Sequence, residues 1–374
     1  MSTPMSLDIL QETRRQVEIC NACRYCEGYC AVFPAITRDR AFADGDLTQL
    51  ANLCHNCRGC YYACQYTAPH EFDLNLPAVL AQVRTDSWER LAWPGPVARL
   101  FQRSGVALAA AMVLGLAVIF WIMQVWQPSG GEGFYAYLAH TVMVAIFLPA
   151  FLFPLLAIAL SLRAYWREVN GAWPQISQIT QALRDAGRMR NLDGGQGQGC
   201  NFESGDRYTN ARRHAHQAVM YGFLLCFAST SVATFMHYFL NMPAPYSLFS
   251  LPKLLGISGG LLLVVGCIGL AVLKTKADPD LGDRRVWGGE MGFILLLGFV
   301  GLSGLVLYAA TGVPTAVPVL LALHLGSVLS FFLLMPYSKM VHGFFRLAAL
   351  VRDVQIQQGQ HGLAPAAALQ ETRA

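Results

Sequence analysis

Residues 291–338, MGFILLLGFVGLSGLVLYAATGVPTAVPVLLALHLGSVLSFFLLMPYS, contain no charged side chain. As a single helix this run would be about 70 Å long, more than twice the hydrocarbon core of a bilayer. Thr311-Gly312-Val313-Pro314 interrupts it, because proline lacks the backbone donor a helix needs and glycine beside it favours a turn. The run therefore reads as a hairpin of two membrane spans, 291–310 and 317–336. Working outward, uncharged stretches long enough to cross lipid recur at 105–126, 134–162, about 217–240 and 254–273, giving six spans.

Composition agrees. Of the 374 residues, 54% are hydrophobic and only 13% charged, against about a quarter in soluble proteins, and mean hydropathy is +0.39. Lysines and arginines number ten before residue 104, eight in 163–213, four in 274–289 and four from Lys339 onward, whereas the opposite turns hold only Lys253. This asymmetry predicts a multi-pass protein of the cytoplasmic (inner) membrane with both termini inside. It is unexplained if the apolar runs are core helices of a soluble protein. The net charge of +4 follows the spans rather than forming one basic patch, so nucleic acid is not an expected partner; the lipid bilayer is. The start, MSTPMSLDILQETRRQ, lacks the pattern of a secretory signal, so the head before residue 104 is expected in the cytoplasm. The expected divisions are 1–103, 104–352 and a cytoplasmic tail, 353–374.

Eight of the eleven cysteines fall in the first 64 residues, as a repeat: Cys20-Asn-Ala-Cys23-Arg-Tyr-Cys26-Glu-Gly-Tyr-Cys30, then Cys54-His-Asn-Cys57-Arg-Gly-Cys60-Tyr-Tyr-Ala-Cys64. In a reducing compartment such density points to metal rather than disulfides. Both copies are C-x2-C-x2-C-x3-C. Three thiolates at this spacing wrap one [4Fe–4S] cluster, and the fourth reaches the other cluster, as in two-cluster ferredoxins. The spacing predicts one cluster on Cys20, Cys23, Cys26 and Cys64, and a second on Cys54, Cys57, Cys60 and Cys30. Structural zinc, which prefers two separated C-x2-C pairs, fits poorly. Ala31 and Gln65 stand where ferredoxins usually carry proline.

Around the motifs the apolar spacing is helical: Leu7, Leu10 and Val17 before the first, Leu47, Leu50 and Leu53 before the second, and Pro77 through Trp88 after it. The expected fold is all-α: an α-helical ferredoxin-like head, its two helices and two clusters in pseudo-twofold arrangement, on a six-helix bundle. Arg24 and Arg58 recur at one motif position, either as charge beside a cluster or as solvated surface.

Histidines lie at two depths. His140, His237 and His324 fall toward the outer face, and His214, His216 and His342 at the inner ends of spans three and six. Intramembrane ionisable residues mark function, and two imidazoles at one depth can hold a b-type haem. The candidate pairs are His216 with His342, and His140 with His324 or His237; the alternative is interhelical hydrogen bonding. His216 and His237 lie roughly 30 Å apart on one helix, too far to share a haem. Cys226 and Cys267 read as buried apolar residues. The loop Asp193-Gly-Gly-Gln-Gly-Gln-Gly-Cys200 lacks the flanking strand and helix of a nucleotide cradle, and reads as a mobile surface or docking segment.

The two cysteine motifs, the loop GGQGQGCNFESGDR (194–207), the span ARRHAHQAVMYGFLLCFASTSVATFMHY (211–238) and the six spans resemble the tricarballylate/citrate utilization protein B family (TcuB/CitB) over essentially the whole chain. They are also similar to the second half of CobZ proteins. The resemblance implies a membrane electron-transfer subunit that reoxidises the flavin of a partner FAD-dependent tricarballylate dehydrogenase (TcuA-like) and delivers electrons to the membrane; CobZ-like relatives imply haem b. The head has no evident nucleophile, catalytic base or nucleotide motif, so substrate chemistry is expected on the partner, with quinone as acceptor. Other readings are an anchor for a different flavoprotein dehydrogenase, or a membrane redox sensor. A sensor should carry an output module, which the stretch after Arg352 does not supply.

Overall fold

The computed structural model describes residues 4–126, 130–194, 197–203 and 205–359, with side chains from Asp8 onward. Leu7's side chain and most of the tail expected at 353–374 lie outside the described residues. Every regular element described is helical; only isolated bridges, Cys200 with Thr209 and Glu203 with Ala277, pair extended backbone. The all-α expectation holds.

The head begins with α1 (Pro4–Cys23), whose last turn carries Cys20 and Cys23, followed by α2 (Val32–Arg38) and α3 (Asp44–Leu53). Helix α3 starts where Asp46 accepts from the Ala43 backbone N–H at 2.9 Å, and its acidic first turn suits the helix dipole. It buries Leu47, Leu50 and Leu53 and ends at Cys54. A single turn, α4 (Gly59–Tyr62), crosses the second motif. Helix α5 (Leu76–Leu91) is capped by Asn75, whose Oδ1 accepts from the Ala78 N–H at 3.2 Å, with Pro77 in its first turn. Its inner face, Leu80, Val83 and Trp88, closes the head core, and Trp88 Nε1 donates to Asn52 Oδ1 at 2.9 Å.

Six helices are long and apolar enough to cross a membrane, consistent with a multi-pass membrane protein: α6 (Gly95–Trp126), α7 (His140–Glu168), then, after the amphipathic α8 (Ile176–Arg188), α9 (Ala211–Phe239), α10 (Leu251–Lys276), α11 (Trp287–Ala309) and α12 (Val317–Leu334). Their outward leucines and isoleucines, such as Leu114, Ile119, Leu261 and Ile268, are exposed, as lipid contact requires. Three boundaries differ from the sequence reading. Helix α6 begins at Gly95 and kinks at Ser104 (φ −123°, ψ 26°) near the expected boundary. Helix α7 begins at His140, because Gly133–Ala136 form a separate 3-10 turn. Helix α9 begins at Ala211, because Arg212 and Arg213 donate to the Asn56 and Arg188 carbonyls instead of ending the helix.

Helices α9 and α10 form the closest hairpin. A Cβ on Gly222 would lie 2.6 Å from Leu263 N, and one on Gly259 2.8 Å from Cys226 N, so only hydrogen fits between the backbones. Gly222→Ala is expected to cost about 1–3 kcal/mol by overpacking. Thermal unfolding in detergent checks this against Gly115→Ala, where no heavy atom lies within 4 Å of the new Cβ and little loss is expected.

The largest departure follows α12. The chain turns through Met335–Tyr337 into α13 (Val341–Gln357), which returns to the head and runs past residue 353, the expected start of the tail. Gln49 Nε2 donates to Ala349 O at 2.8 Å, Arg38 pairs with Asp353, and Arg352 Nε donates to Val169 O at 2.9 Å. The end of α7 joins the same junction, with Glu168 accepting from Thr48 and from both Arg90 terminal nitrogens at 2.8 Å. Below it, Glu290 at the start of α11 accepts from Lys274 of α10 and from Lys339, tying three elements together where head meets bundle. Cys267 is buried and Cys226 half-buried within their spans.

Candidate functional site

The cysteine repeat folds as a repeated turn. Arg24 and Arg58, each directly after the second cysteine of its motif, have φ of +56° and +67°, a left-handed conformation that reverses the chain between successive thiols. Asn56, at φ +50°, adds a second such residue to the C-terminal copy, held by Nδ2 donating to Pro77 O and Leu281 O at 3.1 and 2.9 Å.

Cys20, Cys23, Cys26 and Cys64 line one cavity of about 220 Å3. Cys30, Cys54, Cys57 and Cys60 line a second, smaller one, and Phe33 forms part of the wall of both. Each cavity thus receives three thiols from one motif and the last thiol of the other. All eight are free thiols. Among the described residues, no three His, Cys, Asp or Glu side chains converge tightly enough for a single metal ion; these thiols stand around their cavities.

The donor set fits an iron–sulfur cluster chemically. Backbone N–H groups address the sulfurs: Asn56 N to Cys54 Sγ and Tyr66 N to Cys64 Sγ, both at 3.4 Å, Val32 and Phe33 to Cys30, and Gly59 to Cys57. Such donors stabilise thiolate. Burial pushes Cys20 and Cys26 up to about 12, and Cys30 and Cys60 well above the usual thiol range. Ligation by these groups must therefore release protons. Cys57 is different: the neighbouring Cys200 thiol, the Gly59 N–H and Arg212 hold it below the usual thiol range.

The two cavities have unlike surroundings. The first opens outward, with Cys23 exposed and Tyr25 70% exposed at its rim. The second lies where the head meets the start of α9, among buried and half-buried guanidinium groups. Arg84 and Arg346 donate to Cys54 O at 2.9 and 2.6 Å, Arg212 donates to Asn56 O at 2.7 Å, and Arg58 to Phe202 O at 3.2 Å. The repeated arginines have therefore diverged: Arg58 is buried, whereas Arg24 is exposed and donates only to the nearby Asn21 O.

Of the sequence expectations here, the glycine-rich loop needs correction. Cys200 and Asn201 are 1% and 0% exposed, and Asn201 N donates to Cys57 O at 3.0 Å, so the loop's end packs against the second motif, while Gly197 and Gln198 are exposed. No local pattern signals this, because the contact joins residues more than 140 positions apart. Arg84, Arg212 and Arg346 were also missed; their only signal was charge amid apolar helical spacing.

The histidines gather at two ends of the bundle. His216 on α9 and His342 have ring centroids 5.6 Å apart at 83°, and His140 and His237 are 4.5 Å apart at 21°. His342 lies on α13 rather than on span six, brought back by the 335–337 turn. Its Nδ1 bonds to the Lys339 carbonyl, which leaves Nε2 as the free ligand atom. His216 Nδ1 is buried without a partner from any other described residue. These features fit axial ligation at the His216–His342 pair. His324 joins neither pair: its Nδ1 meets Ser303 Oγ at 3.0 Å, between α11 and α12.

Comparison with known proteins agrees with this architecture. The family described as "Citrate utilization protein B" matches residues 95–362, and "Citrate utilization protein B Fer4-like domain" matches residues 13–89, which contain all eight motif cysteines. "Citrate utilization protein B" of Escherichia coli is 40% identical over 347 residues, covering 91% of each chain. No solved structure matches. A Fer4-like head joined to six apolar helices fits an iron–sulfur electron-transfer role, and by the extent of these matches the chain belongs to the citrate utilization protein B family.

Proposed function

We propose that the chain is the membrane subunit of an oxidoreductase system: it reoxidises the reduced FAD of a partner dehydrogenase acting on tricarballylate or a citrate-like acid, and delivers the electrons to membrane quinone. The observation that carries this reading is the crossed sorting of eight thiols into two cavities, one at the surface and one where the head meets the start of α9. Cys20, Cys23, Cys26 and Cys64 would hold one [4Fe–4S] cluster and Cys54, Cys57, Cys60 and Cys30 the other. Such clusters supply one-electron centres that divide a two-electron flavin oxidation into steps.

The residues around them suit this use. Exposed Tyr25 and Cys23 bring the first site to a docking partner, and Phe33 separates the two sites by the width of one side chain. Arg84, Arg346 and Arg212 set positive charge beside the second, favouring a reduced, more negative state. His216 with His342 would hold b-type haem in the bundle, whereas the His140 and His237 rings, stacked 4.5 Å apart, leave no space for an iron between them; the head and both termini would lie on the cytoplasmic side of the inner membrane.

His216→Ala and His342→Ala are each expected to abolish the inner haem's absorbance in detergent-purified protein while iron–sulfur content stays unchanged. Full haem absorbance in both variants rejects that pair. For the function as a whole, membranes containing the chain and its flavoprotein should reduce quinone when given the acid. Loss of this coupling in Cys60→Ala is the expected result; unimpaired coupling contradicts the reading.

A further inference from the structure

A ninth cysteine packs beside the second cysteine motif. Cys200 is 1% exposed and packs with Cys57, Leu192 and Phe202 in one apolar cluster. Its Sγ lies 3.4 Å from Leu192 O, and the N–H of the next residue, Asn201, donates to the Cys57 carbonyl, which brings the Cys200 side chain beside that of Cys57.

The backbone fixes this placement. Cys200 and Thr209 exchange two hydrogen bonds, of 2.9 and 3.1 Å, and Asn201 N donates to Cys57 O at 3.0 Å. Gly199 sits at φ +96°, where a Cβ would lie 2.1 Å from Thr209 O, so no other residue fits that position. Phe202 is flanked by the guanidinium groups of Arg58 and Arg212, 4.8 and 4.0 Å from its ring centre. The thiol is thus held against one sulfur.

We propose that Cys200 is a positioning residue of the second cluster, donating its S–H to the Cys57 sulfur and thereby raising that cluster's reduction potential. The proposal rests on the assignment of the eight motif cysteines as cluster ligands. One S–H serves one acceptor at a time, and a ligating Cys57 is a thiolate, which outcompetes the neutral Leu192 carbonyl. Reduction adds negative charge to the cluster and its sulfurs, so a donor to one of them favours the reduced form.

The test is an EPR-monitored redox titration of the full chain, purified anaerobically in detergent, as wild type, Cys200→Ala and Cys200→Ser. In Cys200→Ala the reduced-to-oxidised ratio of one cluster should fall about tenfold at fixed potential, equivalent to about 59 mV for one electron. The other cluster should not move, and Cys200→Ser, which keeps a donor, should stay near wild type. Two unmoved midpoints in Cys200→Ala overturn the proposal. So does loss of a cluster from both variants, because serine can replace a hydrogen-bond donor more readily than a thiolate ligand. Fewer than two clusters in the wild type instead overturns the ligand assignment itself, and the two failures are distinguished by iron content before any titration.

Discussion

Cys64→Ala is expected to remove the iron–sulfur centre of the first motif and spare that of its own. Iron should fall from roughly eight to roughly four atoms per chain. The remaining EPR signal should match that of Cys20→Ala and differ from that of Cys60→Ala. The reason lies in the short α4 turn, which carries the chain from the second cavity back to the first, so that Cys64 lines the cavity of Cys20, Cys23 and Cys26. Cys30→Ala should show the reverse pattern, because Val32 and Phe33 direct their N–H groups at its sulfur within the second site. A Cys64→Ala spectrum matching Cys60→Ala would refute the crossed arrangement.

The second large effect concerns stability. Glu290→Gln is expected to cost about 3–5 kcal/mol, the usual penalty for leaving buried charge without its partner. Glu290 accepts from both Lys274 and Lys339, and the three side chains are 15–28% exposed. Burial already holds Lys339 down to about 7 with the carboxylate in place, so the variant drives Lys339 to shed its proton and leaves Lys274 facing an amide instead of an anion. Thermal unfolding in detergent measures the loss. Asp280→Asn is the control: its partner Arg284 and Asp280 are 64% and 66% exposed, and a pair so placed contributes little. Equal stability in the two variants would show that the triad does not hold head to bundle.

Long-range architecture was legible wherever one local rule governed it. The six spans followed from uncharged length, and the helical head from apolar spacing around the cysteines. In the structure Cys64 lines the cavity of Cys20, Cys23 and Cys26, and Cys30 that of Cys54, Cys57 and Cys60. Hidden features depended on contacts between segments far apart in sequence. Helix α13 was not legible as an element because its apolar face, including Phe345, Ala349 and Leu350, is shorter than a span and covers the head instead of meeting lipid. Arg346 looked like a topology charge, yet its guanidinium serves the Cys54 carbonyl. Depth could not choose between His237 and His324 as the neighbour of His140, because depth does not reveal which helix faces show toward each other; Ser303 decided the position of His324.

The most direct measurement of the central claim is the iron, acid-labile sulfide and EPR signature of the wild-type chain purified anaerobically from membranes. Two cavities with four thiols each predict roughly eight irons and eight sulfides per chain, and dithionite-reduced signals from two [4Fe–4S] clusters. Stoichiometric zinc with iron near zero, or about four irons and one cluster signal in intact protein, would contradict it.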